Sequence, residues 1–279
     1  MEALTQDGTS RFSKVGDIDL HYHEAGAGST VVMLHGGGPG AAGWTNFHKN
    51  MAAFAHSHRV LVPDLPGFGE STKRQYPELI GAFNARVLAE WLDGLGLQKV
   101  HFVGNSLGAH VAMKFALDFP ERVGRLVLMA PSIQLATVSP NPTEGAKLLR
   151  TYYHGTGPSL ERMRQFLNVL VHAPDLIDEA TLQDRYERSI RPEVVEWAKK
   201  MAPAPHRFEP LWQNLGDLKH RSLLVWGRDD RVVPIDRAIF MLHQMPDVRL
   251  HIFGNCGHWA MLEHSDHFNR LCLDFFREE

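Results

Sequence analysis

Cysteine is scarce: Cys256 and Cys272 are the 2 cysteines in 279 residues, and they do not form a C-x-x-C pair, so neither a disulfide framework nor a structural zinc site is expected. Their scarcity points to a reducing cytoplasm. Long apolar runs are lacking too, since nothing approaches the roughly 18 residues of a spanning helix. The start, Met1-Glu2-Ala3-Leu4-Thr5-Gln6-Asp7-Gly8, has no basic stretch leading into an apolar one, so neither a membrane span nor a secretory leader is expected. Charge of one sign is also missing. With 32 acidic and 29 basic residues the net charge is −3, which argues against a nucleic-acid or membrane-surface partner. The 17 histidines include no H-E-x-x-H pair, and no metal is expected. No internal period of about 20–50 residues marks a repeat protein. What remains, 44% hydrophobic and 22% charged, is an ordinary globular composition.

Short apolar runs alternate with amphipathic segments along most of the chain. Strands are expected near Phe12–Val15, Ile18–Glu24, Val31–Leu34, Arg59–Pro63, Val100–Val103, Arg125–Met129, Leu223–Trp226 and Arg249–Phe253. Helices are expected over Trp44–Phe54, Gly81–Leu95, Leu107–Phe119, Pro234–Gln244 and Ser265–Phe276. This order predicts an α/β fold, a mainly parallel sheet flanked by helices on both faces. From Pro131 to about Gly216 the rhythm breaks into helical pieces, Pro142–Tyr153, Ser159–Val171, Ile177–Ile190 and Pro192–Met201, with Pro174, Pro203, Pro205 and Pro210 between them. The expected division is a core of 1–131 and 217–279 interrupted by a helical cap of 132–216.

Gly104-Asn105-Ser106-Leu107-Gly108 fits G-x-S-x-G and stands between a strand and a helix, the setting of a nucleophile elbow. Such a sharp turn strains the serine backbone and leaves no room for side chains at 104 and 108. A serine alcohol needs a base. His258, in the loop after the last strand, is best placed; His35 is read as loop shaping, His101 lies inside a strand, and His264 and His267 sit at or within a helix. The acid that holds the imidazole follows Leu223–Trp226, and residue type alone leaves Asp229 and Asp230 open, with Asp64 a weaker competitor that anchors its own turn. Serine, acid and histidine then fall in the α/β-hydrolase chain order. Donors for the developing oxyanion are expected from the Leu107 N–H and from Gly37 in the glycine-rich loop His35–Gly40. Cys256 is read as packing.

These residues resemble the meta-cleavage product hydrolases, carbon–carbon bond hydrolases of bacterial aromatic-ring degradation. The resemblance spans nearly the whole chain: Ser29–Phe47, Gly104–Gly108, Pro142-Thr143-Glu144-Gly145, Trp226–Pro234 and Cys256-Gly257-His258-Trp259. It implies an α/β-hydrolase fold with a helical cap, no cofactor, and a homo-oligomer. It aligns Ser106, Asp230 and His258 with the family triad, Gly37 and Leu107 with the oxyanion hole, Asn46 and Asn105 with polar pocket positions, and Trp259 with the tryptophan beside the base. Arg185 matches an arginine that meets the substrate carboxylate and enolate, although Arg188 and Arg191 lie close by. Val232 departs from members with an aromatic residue there.

The implied substrate is a small molecule, a 2-hydroxy-6-oxohexa-2,4-dienoate. Phe166, Leu167, Leu170 and Trp212 are candidates for apolar walls around its C6 group. Alternatives on the same fold are an esterase, a thioesterase, a proline iminopeptidase, or a non-catalytic small-molecule receptor. Dehalogenase and epoxide hydrolase chemistry is disfavoured, because those relatives place Asp where this chain has Ser106.

Overall fold

The computed structural model describes residues 4–133, 135, 138–201 and 208–278. Its strands β1 (Ser10–Val15), β2 (Ile18–Ala25), β3 (Ser29–Leu34), β4 (His58–Pro63), β5 (Val100–Asn105), β6 (Val123–Met129), β7 (Ser222–Gly227) and β8 (Val248–Phe253) form one sheet in the order β1-β2-β4-β3-β5-β6-β7-β8. The β1–β2 and β2–β4 pairs are antiparallel and the remaining pairs parallel.

The apolar strands sort by the two-residue period into two cores. Val32, Leu34, Leu126, Leu128, Leu224 and Trp226 face one side, against α3 (Ile80–Gly94), α4 (Leu107–Asp118) and α9 (Asp236–Gln244). Val31, Met33, Val127, Met129, Leu223 and Val225 face the other, against α2 (Gly43–Ala55) and α11 (Ser265–Arg277). Short helices α1 (Gln6–Thr9) and α10 (Ala260–Glu263) complete the core, and α5 (Glu144–Thr151), α6 (Leu160–Leu170), α7 (Glu179–Ser189) and α8 (Pro192–Met201) lie between β6 and β7.

Long periodic elements match the sequence expectation, and the differences sit at their ends. α5 begins at Glu144 rather than Pro142 because the Thr143 side chain accepts the Ala146 N–H. Asp178 caps Thr181 N–H in the same way, so α7 begins at Glu179 instead of Ile177. α1, α10 and the 3-10 turns Pro120–Arg122, Pro174–Leu176 and Leu211–Asp217 are too short or too tight for a helical period to show. Positions 134, 136–137 and 202–207 of the expected cap, with Pro203 and Pro205, lie outside the described residues.

From β3 the chain passes to β4 on one side, then returns to place β5 on the other. At such a reversal the connections leave in opposite directions and a crevice opens beyond the strand ends. The glycine-rich loop leaves β3 there and Ser106 leaves β5.

Candidate active site

Ser106 occupies the turn between β5 and α4 with φ 53° and ψ −108°, a conformation costly for any residue with a Cβ. Its backbone is over-determined: the N–H donates to Met129 O at 2.8 Å, and the carbonyl accepts from His110 N–H at 3.0 Å and Ser132 N–H at 3.2 Å. The flanking glycines are forced. A Cβ on Gly104 would lie 2.6 Å from the Ala109 backbone, and one on Gly108 would lie 2.0 Å from Leu34 O.

His258 and Asp230 meet as the chain order predicts. The Nδ1 of His258 donates to Asp230 Oδ2 at 2.7 Å, both side chains being buried. Asp230 Oδ1 accepts from the N–H groups of Val232 at 2.8 Å and Val233 at 2.9 Å, so the carboxylate is aimed by its own loop. Asp229 faces away, toward Arg228 and the His172 Nδ1 at 3.2 Å. The geometry thus separates two neighbours that residue type left open. His258 is further fixed by its N–H, which donates to Leu170 O at 2.7 Å, joining the histidine loop to the end of α6. The Nε2 face of the imidazole is left for the cavity that His258 lines together with Ser106. Among the described residues, the hydrogen bond made by Ser106 Oγ goes to Ser132 Oγ, at 3.2 Å.

Gly37 and Leu107 are neighbours on the cavity wall, and neither N–H has a backbone acceptor among the described residues. As the first residue of α4, Leu107 has no intrahelical acceptor. Two unfilled donors beside a serine hydroxyl suit a carbonyl oxygen gaining charge. His35 braces this loop, donating from Nδ1 to Gly36 O at 2.8 Å and accepting the Leu65 N–H at Nε2 at 3.0 Å. Burial lowers its pKa, consistent with a neutral ring. Asp64, buried, binds the Gly43 N–H at 2.6 Å and His21 at 2.7 Å, anchoring its turn. Burial pushes the Cys256 thiol well up, which keeps it protonated.

The cavity is about 780 Å³ and runs from Trp259, Phe166 and Leu170 past Ser106 to Phe68, Tyr76 and Trp197. Asn105 and Val232 line it, whereas Leu167 and Trp212 are packed in the cores. Two expected pocket residues are not on its wall. Asn46 is consumed beneath the loop, its Oδ1 accepting the Gly36 N–H at 3.0 Å. Arg185 is 1% exposed and stands behind the wall, its guanidinium 5.5 Å from the Trp259 ring. Among the described residues, all three of its side-chain nitrogens lack a hydrogen-bond partner. Burial draws its pKa down to about 10, so the buried group still carries charge at neutral pH. Arg188 and Arg191 do line the cavity, but Glu70 pairs with both, at 3.0 and 2.9 Å.

Residue reasoning missed Ser132, whose signal was available: it follows β6, and β6 lies next to β5, so their ends adjoin. It also missed His110, one turn along α4, and Glu209, which bonds to it at 2.8 Å.

Comparison with known proteins agrees with this geometry. The family described as "alpha/beta hydrolase fold" matches residues 30–265. The 2-hydroxy-6-oxo-6-phenylhexa-2,4-dienoate hydrolase of Comamonas testosteroni is 41% identical over 100% of both chains. The 2-hydroxy-6-oxononadienedioate/2-hydroxy-6-oxononatrienedioate hydrolase of Burkholderia vietnamiensis is 42% identical, covering 98% of this chain and 97% of that one. Among solved structures, the meta-cleavage product hydrolase CumD from Pseudomonas fluorescens superposes with TM-score 0.87 at 30% identity, covering 95% of this chain and 97% of that one. The 2-hydroxy-6-oxo-6-phenylhexa-2,4-dienoate hydrolase of a Rhodococcus strain gives 0.84 at 28% identity, covering 96% and 98%. A strained serine elbow, a buried acid–histidine pair after the last two strands, and full-length likeness to these enzymes make the chain a member of the meta-cleavage product hydrolases of the α/β-hydrolase fold.

Proposed function

We propose that this protein hydrolyses a carbon–carbon bond in a 2-hydroxy-6-oxohexa-2,4-dienoate-type ring-fission product, releasing 2-hydroxypenta-2,4-dienoate and a carboxylic acid. Ketonisation of the dienol comes first, because only then can a carbon fragment leave with its electron pair stabilised. Ser106 then gives its proton to His258, oriented by Asp230, and attacks the C6 carbonyl. The N–H groups of Gly37 and Leu107 hold the oxyanion. The C5–C6 bonding pair leaves with the carbon fragment as a 2-oxidopenta-2,4-dienoate, which takes the proton from His258; an acyl group stays on Ser106, and water activated by the freed His258 releases the acid. Asn105 and Trp259 contact the substrate from the wall, and Asn46 acts from beneath by setting the loop that carries Gly37. The helical cap, 132–216, closes over the two core segments 1–131 and 217–279. The cytoplasm and a homo-oligomeric state belong to the same proposal; two unpaired cysteines support the first, and family resemblance the second.

One observation carries the choice of an acidic substrate: Arg185 is a buried cation with no hydrogen-bond partner for any guanidinium nitrogen among the described residues. Burying a charge unpaired costs several kcal/mol, so the fold keeps a receptor for an anion at that expense. We assign the dienolate carboxylate and 2-oxygen to it, a planar pair that a guanidinium fork can hold with two bonds once the wall at Trp259, against which Arg185 is packed, opens to the cavity. Following the decay of the coloured dienolate beside p-nitrophenyl ester hydrolysis tests the proposal. Rapid dienolate decay is expected; efficient ester turnover with a persistent dienolate would show a simple esterase.

A further inference from the structure

We infer that Ser132 is a catalytic residue that holds the Ser106 hydroxyl off the imidazole in the resting enzyme, and that His110 and Glu209 are positioning residues acting through it; the inference rests on reading Ser106 as the nucleophile. Ser132 lines the cavity, and its Oγ lies 3.2 Å from Ser106 Oγ. Its backbone is clamped from two sides. The N–H donates to Ser106 O at 3.2 Å, and the carbonyl accepts from His110 Nδ1 at 2.8 Å. The other ring nitrogen, Nε2, meets Glu209 Oε2 at 2.8 Å. The ring thus bridges the Ser132 carbonyl and the Glu209 carboxylate.

Glu209 is itself held. Its carboxylate accepts the N–H groups of Gly81 at 3.0 Å and Ala82 at 2.6 Å at the start of α3. Although burial opposes ionisation, the His110 bond and the backbone donors keep its pKa below the ordinary range. A chain of fixed groups therefore runs from α3 through Glu209 and His110 to a hydroxyl beside the nucleophile. A partner for Ser106 other than His258 has a use in the proposed reaction. Ketonisation moves a proton before Ser106 needs a base, and a serine not yet bonded to Nε2 leaves His258, which lines the cavity, open to move it.

The test reads Ser106 directly, without the dienolate. A p-nitrophenyl alkylphosphonate forms a P–O bond to Ser106 Oγ and expels p-nitrophenolate while His258 takes the serine proton, so one nitrophenolate is released per site. Removing one neutral hydrogen bond should speed this labelling about two- to tenfold in Ser132→Ala. Ser132→Thr, which keeps the hydroxyl, should label more slowly than Ser132→Ala. Glu209→Gln should speed labelling in the wild-type background and add nothing in Ser132→Ala. Unchanged or slower labelling in folded Ser132→Ala overturns the inference, and an additive double variant overturns the roles of His110 and Glu209. If Ser132→Ala does not fold, Ser132→Cys, with its weaker bond, should label faster than wild type, and equal rates overturn the inference. Wild-type enzyme that cannot be labelled at Ser106 refutes the nucleophile reading instead, a distinct result.

Discussion

The floor and the roof of the cavity treat buried polar groups in opposite ways. On the floor, built from the ends of β3, β5, β6 and β7, the acid and the oxyanion loop are held by hydrogen bonds, Asp230 by the N–H groups of Val232 and Val233, His35 by the backbone of Gly36 and Leu65, and the Gly36 N–H by the Asn46 side chain, with Asn105 Oδ1 left unsatisfied among the described residues. On the roof, α7 buries Arg185 with no hydrogen-bond partner among the described residues, while Arg188 pairs with Glu70 and Asp184 and Arg191 pairs with Glu70. Satisfied groups give a rigid, preorganised reacting centre, and an unsatisfied one stores binding energy for a ligand of the missing charge. Chemistry and recognition are thus separated by layer.

The largest break in that contrast is on the floor. Ser106→Ala should lower dienolate turnover by roughly four to six orders of magnitude in steady-state assays, the scale seen when a triad nucleophile is removed. Arg185→Met addresses the roof. Each lost charge-assisted bond, about 1.5–3 kcal/mol, should reduce dienolate kcat/KM about 10- to 150-fold, while ester kcat/KM changes little. The same substitution should raise Tm, because an apolar side chain of similar volume replaces an unpaired buried charge. Equal losses on both substrates would make Arg185 structural. Asn46→Leu leaves the Gly36 N–H without its acceptor and should cost about 1–3 kcal/mol, read as a lower urea midpoint with a fall in kcat.

The smallest effect is on stability against pH. Burial holds His23 and His101 down to about 4, whereas the unfolded chain takes up those protons near pH 6.5. Protons then bind the unfolded state preferentially, so stability should fall as pH drops from about 6.5 toward 4. A urea midpoint equal at pH 7 and pH 5 would contradict this, and His101→Gln should remove its share of the slope.

Much of this was legible from residues alone. Apolar runs bounded by glycine and proline mark the strands, and Gly104 and Gly108 announce a turn that only a backbone without Cβ can make. Family resemblance had chosen Asp230; the physical reason, two loop N–H groups on Oδ1, emerges only in three dimensions. Asn46 shows the opposite outcome. Family resemblance put it among the pocket positions, but the loop folded over it and took its oxygen.

The order of strands and helices, the elbow and the identity of the reacting groups were determined by the chain itself, because each rests on local periodicity, turn sterics or side-chain chemistry. Which hydroxyl lies beside Ser106, which arginine is left unpaired, and how Glu209 comes to hold His110 across 99 positions were decided by packing. Such contacts join segments distant in sequence, and nothing in either segment encodes the other until the sheet and cap bring them together.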